Sequence, residues 1–181
     1  MLTSTELQFI QQSQYPLIKQ SAIKKIKHLF EETAQFFFNK TENKQLNSKI
    51  SFGENYLQMP YVVLDIPKLT SEKPHLQLRI LFWWGHYFAI QYFINSKLQN
   101  CKKLILNLSR MPDWYVLTNN EIWNNNIEDA CWASCSNLTD DIYMTLNNLE
   151  IIKICGLVAI KDYDVLHEAV LKFYYDIENF K

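Results

Sequence analysis

Glycine is nearly missing from this 181-residue chain, which has it only at Gly53, Gly85 and Gly156. Loops that bring backbone amides against a phosphate need glycine where a side chain would clash. A Walker loop, a dinucleotide fingerprint and a nucleophile elbow are therefore excluded. His-x-x-x-His and Cys-x-x-Cys are also absent, which removes the usual zinc and dithiol signatures, and no cofactor is expected. A nuclease arrangement fails as well: Asp113 and Glu121 flank a candidate strand, but the position that should carry a lysine, two after the glutamate, is Trp123.

Charge of one sign is lacking too. With 18 basic and 19 acidic side chains the formal net charge is -1, so no global field draws phosphate backbones or anionic lipid, and no nucleic-acid partner is expected. Long hydrophobic runs are missing. The most apolar stretch, 80–94, is broken by Gly85, His86 and Gln91 and falls short of the roughly 20 residues a membrane helix needs, so no membrane partner is expected. The start "MLTSTELQFIQQ" has neither the basic end nor the apolar stretch of a signal peptide. The four cysteines (Cys101, Cys131, Cys135, Cys155) sit in a chain large enough not to need staples. Free thiols and a cytoplasmic location are the expectation.

Only two of the 18 basic residues are arginine, Arg79 and Arg110. Where lysine is so freely used, a retained arginine points to a bidentate or stacked contact that needs the planar guanidinium. Asparagine, isoleucine and lysine are abundant, the bias of AT-rich codons, so the run "NNEIWNNN" is discounted as a functional signal. Hydrophobic residues at 48% and charged residues at 20% are ordinary globular usage, and the length suits one domain spanning 1–181.

Along the chain, Thr3 and Glu6 have capping-box spacing, so a short helix is expected to end before Pro16, which starts the next. From Leu17 to about Phe38 the set Ile18, Ala22, Ile26, Leu29, Phe30, Ala34 and Phe37 follows helical spacing. After the polar linker "NKTENKQLN" the period becomes extended: "KISF", "PYVVLDIP", "PHLQLRILFWW" and "HYFAIQYFI" read as strands. In the last pair, a three-residue loop of Trp84, Gly85 and His86 sets Leu76 opposite Ile94, Leu78 opposite Tyr92, Ile80 opposite Ile90 and Phe82 opposite Phe88, giving one wholly hydrophobic face. A one-residue slip mixes polar and apolar groups on both faces. Beyond it, a helix with Leu98, Cys101, Ile105 and Leu108 inward is expected before Pro112, then a short strand "DWYVLT". Residues 119–137 read as irregular with a helical turn near "IEDACWASC". Thr139 caps a helix "DDIYMTLNNLE", "IIKICGLVAI" is strand or buried helix, and Asp164 to Phe180 is a docked terminal helix.

The candidate site is the hairpin "LFWWGHYFAI". Trp83, Trp84 and Tyr87 at its end are either covered, as a satellite core, or exposed, as an aromatic recognition patch. His86 lies among these aromatics, where it titrates near neutral pH, orients a ligand, or simply occupies the turn. Asp65 at the end of "YVVLD" is read as a turn residue, a buried partner of Arg79, or a base. Cys131 and Cys135 with His167 are read as core fillers ahead of metal ligands. His28 and His167 fall on amphipathic helices, and His75 at a strand start.

Together these readings predict one α+β domain: an antiparallel meander of about four strands from Lys49 to Asn95, covered by N-terminal and C-terminal helices. The expected function is non-catalytic binding of an unknown small molecule or protein through Trp83, Trp84, His86 and Tyr87, with Arg79 and Asp65 as polar contacts. Two rivals stand beside it. One is an enzyme in which Asp65, Glu54 and His86 converge for acid and base work, and the other is a subunit whose aromatics pack in a homodimer.

Overall fold

The computed structural model describes residues 1–41, 47–67, 76–98 and 101–180. Helix α1 (Ser4–Gln11) opens with the capping box the sequence announces: the Thr3 hydroxyl accepts from the Glu6 amide, and the Glu6 carboxylate accepts from the Thr3 amide. Helix α2 (Tyr15–Lys40) has Pro16 in its first turn, where the missing N–H costs nothing. Strands β1 (Lys49–Tyr56), β2 (Met59–Ile66), β3 (Leu76–Trp83) and β4 (Tyr87–Asn95) follow as an antiparallel meander. Then come α3 (Cys101–Asn107), β5 (Tyr115–Leu117), β6 (Trp132–Ser134), α4 (Asp140–Asn148), β7 (Ile151–Ala159), a 3₁₀ segment (Ile160–Val165) and α5 (Leu166–Phe180). The class is α+β, with a single antiparallel sheet in the order β1-β2-β3-β4-β7-β5-β6.

Among the described residues that sheet has seven strands, where the sequence reading has about four. The apolar run "IIKICGLVAI" is a strand that pairs with β4 along its whole length, from Tyr87 opposite Ala159 to Asn95 opposite Ile151. Its continuous hydrophobicity, which leaves strand and buried helix indistinguishable in sequence, reflects burial on both faces. The short strands β5 and β6 complete the far edge. Within "IEDACWASC" Trp132–Ser134 is β6, and the helical turn expected there is a 3₁₀ turn that begins at its last residue, Cys135–Asn137.

Register decides which side chains meet which layer. Pairing of Leu76 with Ile94, Leu78 with Tyr92, Ile80 with Ile90 and Phe82 with Phe88 is as the hydrophobic pattern requires. The turn closes through the His86 amide donating to the Trp83 carbonyl at 3.1 Å, and Gly85 takes φ +79 at its third position, a conformation that only glycine adopts cheaply. Even-numbered residues of β2, β3, β4 and β7, among them Leu64, Ile80, Ile90 and Ile154, face the helices. There they form one core with Phe30, Ala34 and Phe37 of α2, Leu104 and Ile105 of α3, Leu146 of α4 and Leu166, Val170, Phe173 and Ile177 of α5. Phe30, with 0% exposure, contributes about 2–3 kcal/mol by its burial alone. Gly156 lets this face pack closely: a Cβ there would lie 3.1 Å from the Phe173 ring, which would have to shift by a few tenths of an ångström.

Some expected inward residues differ. Ile18 and Leu98 are exposed, while Ile23 and Leu104 are buried. Helix α1 has no buried residue. The Phe180 side chain, the greater part of the 39–47 linker and His75 lie outside the described residues.

Candidate functional site

Side chains alternate across a strand, so the candidate residues divide between the two faces of the sheet. On the face away from the helices, Val63, Leu81, Trp83, Ala89, Leu117, Trp132 and Cys155 form a second, smaller core. It is covered by the connection from β5 to β6, residues 118–131, which acts as a strap. Its base is closed by the amide and hydroxyl of Thr118, both donating to the Cys131 carbonyl at 2.8 Å.

Beneath the strap lies a polar row. Asp65 and Arg79, opposite one another in the register, make a bidentate pair, Nε to Oδ1 at 2.7 Å and Nη2 to Oδ2 at 3.2 Å. The guanidinium also stacks over Trp123 at 4.7 Å and Phe93 at 5.7 Å. Arg79 thus uses both properties that distinguish it from lysine. Lys153 is fully buried, and its ammonium donates to the carbonyl of Ile122 at 3.0 Å, the carbonyl of Asn124 at 2.7 Å and Oδ1 of Asn125 at 2.8 Å. Burial pushes its pKa down to about 7, because desolvation penalises the charged form.

Asn125 is the anchor of the strap. Its amide donates to the Tyr56 hydroxyl at 2.8 Å, its carbonyl accepts from the Tyr87 hydroxyl at 2.9 Å, and its Oδ1 also accepts from Gln91 Nε2 at 3.0 Å. Asn124 and Asn126 each donate to the Asp129 carboxylate. The asparagine run discounted as codon bias is therefore what fastens this cover; a sequence cannot pair it with Lys153, 28 residues away. Among the described residues, Gln77 Oε1, Gln91 Oε1 and Trp132 Nε1 are buried without a hydrogen-bond partner.

Trp83 belongs to this face. It is 2% exposed and donates from Nε1 to the Tyr56 carbonyl at 3.2 Å. His86, exposed in the turn, stacks on it with ring centroids 3.5 Å apart and planes 9° from parallel. Tyr87 is half-buried, and desolvation raises its pKa to about 12. Of the six predicted contact residues, Trp83, Tyr87, Arg79 and Asp65 are thus engaged with the strap face, and His86 caps Trp83.

Trp84 points the other way, onto the helix side, with its ring edge-on to Phe82 at 6.2 Å. It is half-buried and lines an open groove of about 950 Å³. The floor and inner wall are apolar: Phe82, Trp84 and Gly85 from the hairpin, Ala22, Ile26 and Leu29 from α2, and Ile160 and Tyr163 from the 3₁₀ segment. Ala22, Ile26 and Leu29 belong to the hydrophobic stripe of α2 expected to face the core. They reach past the edge of the core into the groove. Lys24, Lys25, His28 and Glu32 form its α2 rim.

The acid and base candidates are not brought together. Asp65 is bonded to Arg79 and Glu54 to Lys19, while His86 is stacked on Trp83. Asp65 lies four residues along β2 from Tyr61, the partner of Trp83 at the turn end, which is about 13 Å of strand. Cys135 is in the helix-side core and Cys131 packs on the strap side, while His167 Nδ1 bonds Thr33 at 2.8 Å. Among the described residues no group of three potential metal ligands exists, and no helix is long and apolar enough to cross a membrane. Compared with family models, curated proteins and solved structures, the chain matches none of them.

Proposed function

We propose that this protein is a non-catalytic binding protein and that its site is the groove between α2 and the β3–β4 turn. The observation that carries the reading is Trp84: a large aromatic ring on the helix side, left half-open above a floor of Phe82, Ile26 and Leu29. The volume, about 950 Å³, lies within the ~300–1,000 Å³ of small-molecule sites, which combine an apolar lining with a few polar groups at the edge. The ligand is accordingly apolar or planar over most of its surface. Trp83 and Tyr87, expected as fellow contacts, support the site from behind by fixing the turn, and Arg79 with Asp65 stabilises the opposite layer.

A thermal-shift screen against apolar and planar metabolites, run beside Trp84→Ala and Ile26→Lys, tests this reading. Ligands that raise the wild-type melting temperature and leave both variants unmoved support it, because stabilisation requires preferential binding to the folded state. Ligands that stabilise all three proteins equally place binding elsewhere.

A second reading, a protein contact, draws on a different observation. Leu7, Phe9, Ile10, Leu17 and Ile18 are all exposed at the N-terminal end, an apolar patch of the kind that marks association surfaces. Light scattering separates the two: a particle of twice 21.6 kDa that persists in Trp84→Ala assigns self-association to that patch and leaves the groove to its ligand.

A further inference from the structure

We infer that the ligand of this groove is an amphiphilic anion, a carboxylate or comparable acid carried on an aliphatic or flat apolar body. The inference rests on the reading of the groove as the binding site and adds the chemistry of the head group. Its basis is how the lysines of α2 are used. Away from the groove they are engaged: Lys19 pairs with Glu54, Lys27 lies over the Phe52 ring at 4.9 Å and Lys40 over the Phe36 ring at 5.8 Å. Lys24 and Lys25, which stand on the groove wall, are exposed and have no ion-pair partner among the described residues. The one carboxylate on that wall, Glu32, is already approached by His28 Nε2 at 3.6 Å, and Glu31 beside it by His28 Nδ1 at 3.4 Å. The groove is therefore lined by two exposed lysines that have no ion-pair partner among the described residues, beside an apolar floor.

An apolar body has many orientations on such a floor, because hydrophobic contact is non-directional. An acid head at the rim fixes one of them, with the tail against Ile26, Leu29, Phe82 and Trp84. The lysines act here as point charges on flexible stems that require no planar partner. They accept a carboxylate, a sulfate or a phosphate ester alike, so the shared chemistry is the anion.

The test is isothermal titration of the full chain with dodecanoate and with dodecan-1-ol, which has the same tail and no charge. Each is used below its aggregation limit, with wild type, the Lys24→Gln/Lys25→Gln double variant and Trp84→Ala. The expected result is that wild type binds the acid about two- to fivefold more tightly than the alcohol, as suits a solvent-exposed ion pair. The double variant should bind both at the alcohol's affinity, and Trp84→Ala should weaken both. Equal affinity of wild type for acid and alcohol, or an unchanged preference in the double variant, overturns the head-group inference while leaving the groove in place. Binding of both that is insensitive to Trp84→Ala, or no binding of either, overturns the groove reading and this inference with it.

Discussion

Lys153 and the Asp65–Arg79 pair show what single side chains settle on the strap face. Removing Asp65 leaves a guanidinium that is 12% exposed without its carboxylate, and stranding a buried charge costs about 3–5 kcal/mol. Asp65→Ala is expected to lose stability of that size in urea unfolding; a loss under about 1 kcal/mol would mean that the pair is solvated. Lys153 adds a pH dependence of known sign. Its pKa is near 7 when folded and near 10.5 when unfolded, so between those values the unfolded chain binds the extra proton and stability rises with pH. Above pH 9 the buried thiols oppose it. Cys101, Cys135 and Cys155 are raised by burial to about 11, 12 and 12, and each costs stability as pH climbs past the unfolded thiol value of 9.0. The clean window is therefore pH 7 to about 8.5, where wild type should gain on the order of 1 kcal/mol per pH unit and Lys153→Met should be flat. A flat wild type contradicts the desolvated lysine. The scarcity of arginine foretells the stacked, bidentate role of Arg79, whereas nothing local to "EIIKIC" marks Lys153 as buried, because its partners come from the strap.

Elements were legible where period and capping speak for themselves. The Thr3–Glu6 box, the Pro16 start, the Thr139 cap and the β3–β4 register follow from spacing, since only one register keeps polar groups off the helix-side face. On the far edge β5 was legible as the short strand "DWYVLT", whereas β6 was not, because a three-residue strand carries too short a pattern to show a period. The β1–β2 turn is a point where sequence and backbone disagree. Leu57 and Gln58 take φ 48 and 68 in a two-residue hairpin, a conformation that suits Asn-Gly and costs other residues about 1–2 kcal/mol each. Leu57→Asn with Gln58→Gly is expected to raise stability by about 1–2 kcal/mol, read from the urea midpoint at unchanged m-value. No gain would show that Leu57 and Gln58 make compensating contacts.

At the scale of the molecule, one sheet is covered in two ways: helices pack on one face, and a polar strap closes the other. The adjacent tryptophans at the hairpin tip inherit this difference. Trp83 is sealed under the strap side and Trp84 stays half-open on the helix side. Alternation alone predicts that they diverge, but which of them is covered depends on α2 and the 3₁₀ segment, elements distant in sequence that leave the groove between them. The proposed site is therefore narrower than the aromatic hairpin and richer in α2 residues than the sequence indicates.

In the proposed binding mode the ligand enters at Trp84. The indole N–H resonances of the five tryptophans, assigned by single Trp→Phe variants, test it most directly when the ¹⁵N-labelled protein is titrated with dodecanoate. The Trp84 indole is expected to shift on binding, while those of Trp83 and Trp132, held on the other face, stay in place. A titration that moves Trp123 and Trp132 and leaves Trp84 unmoved would put the ligand under the strap and contradict it.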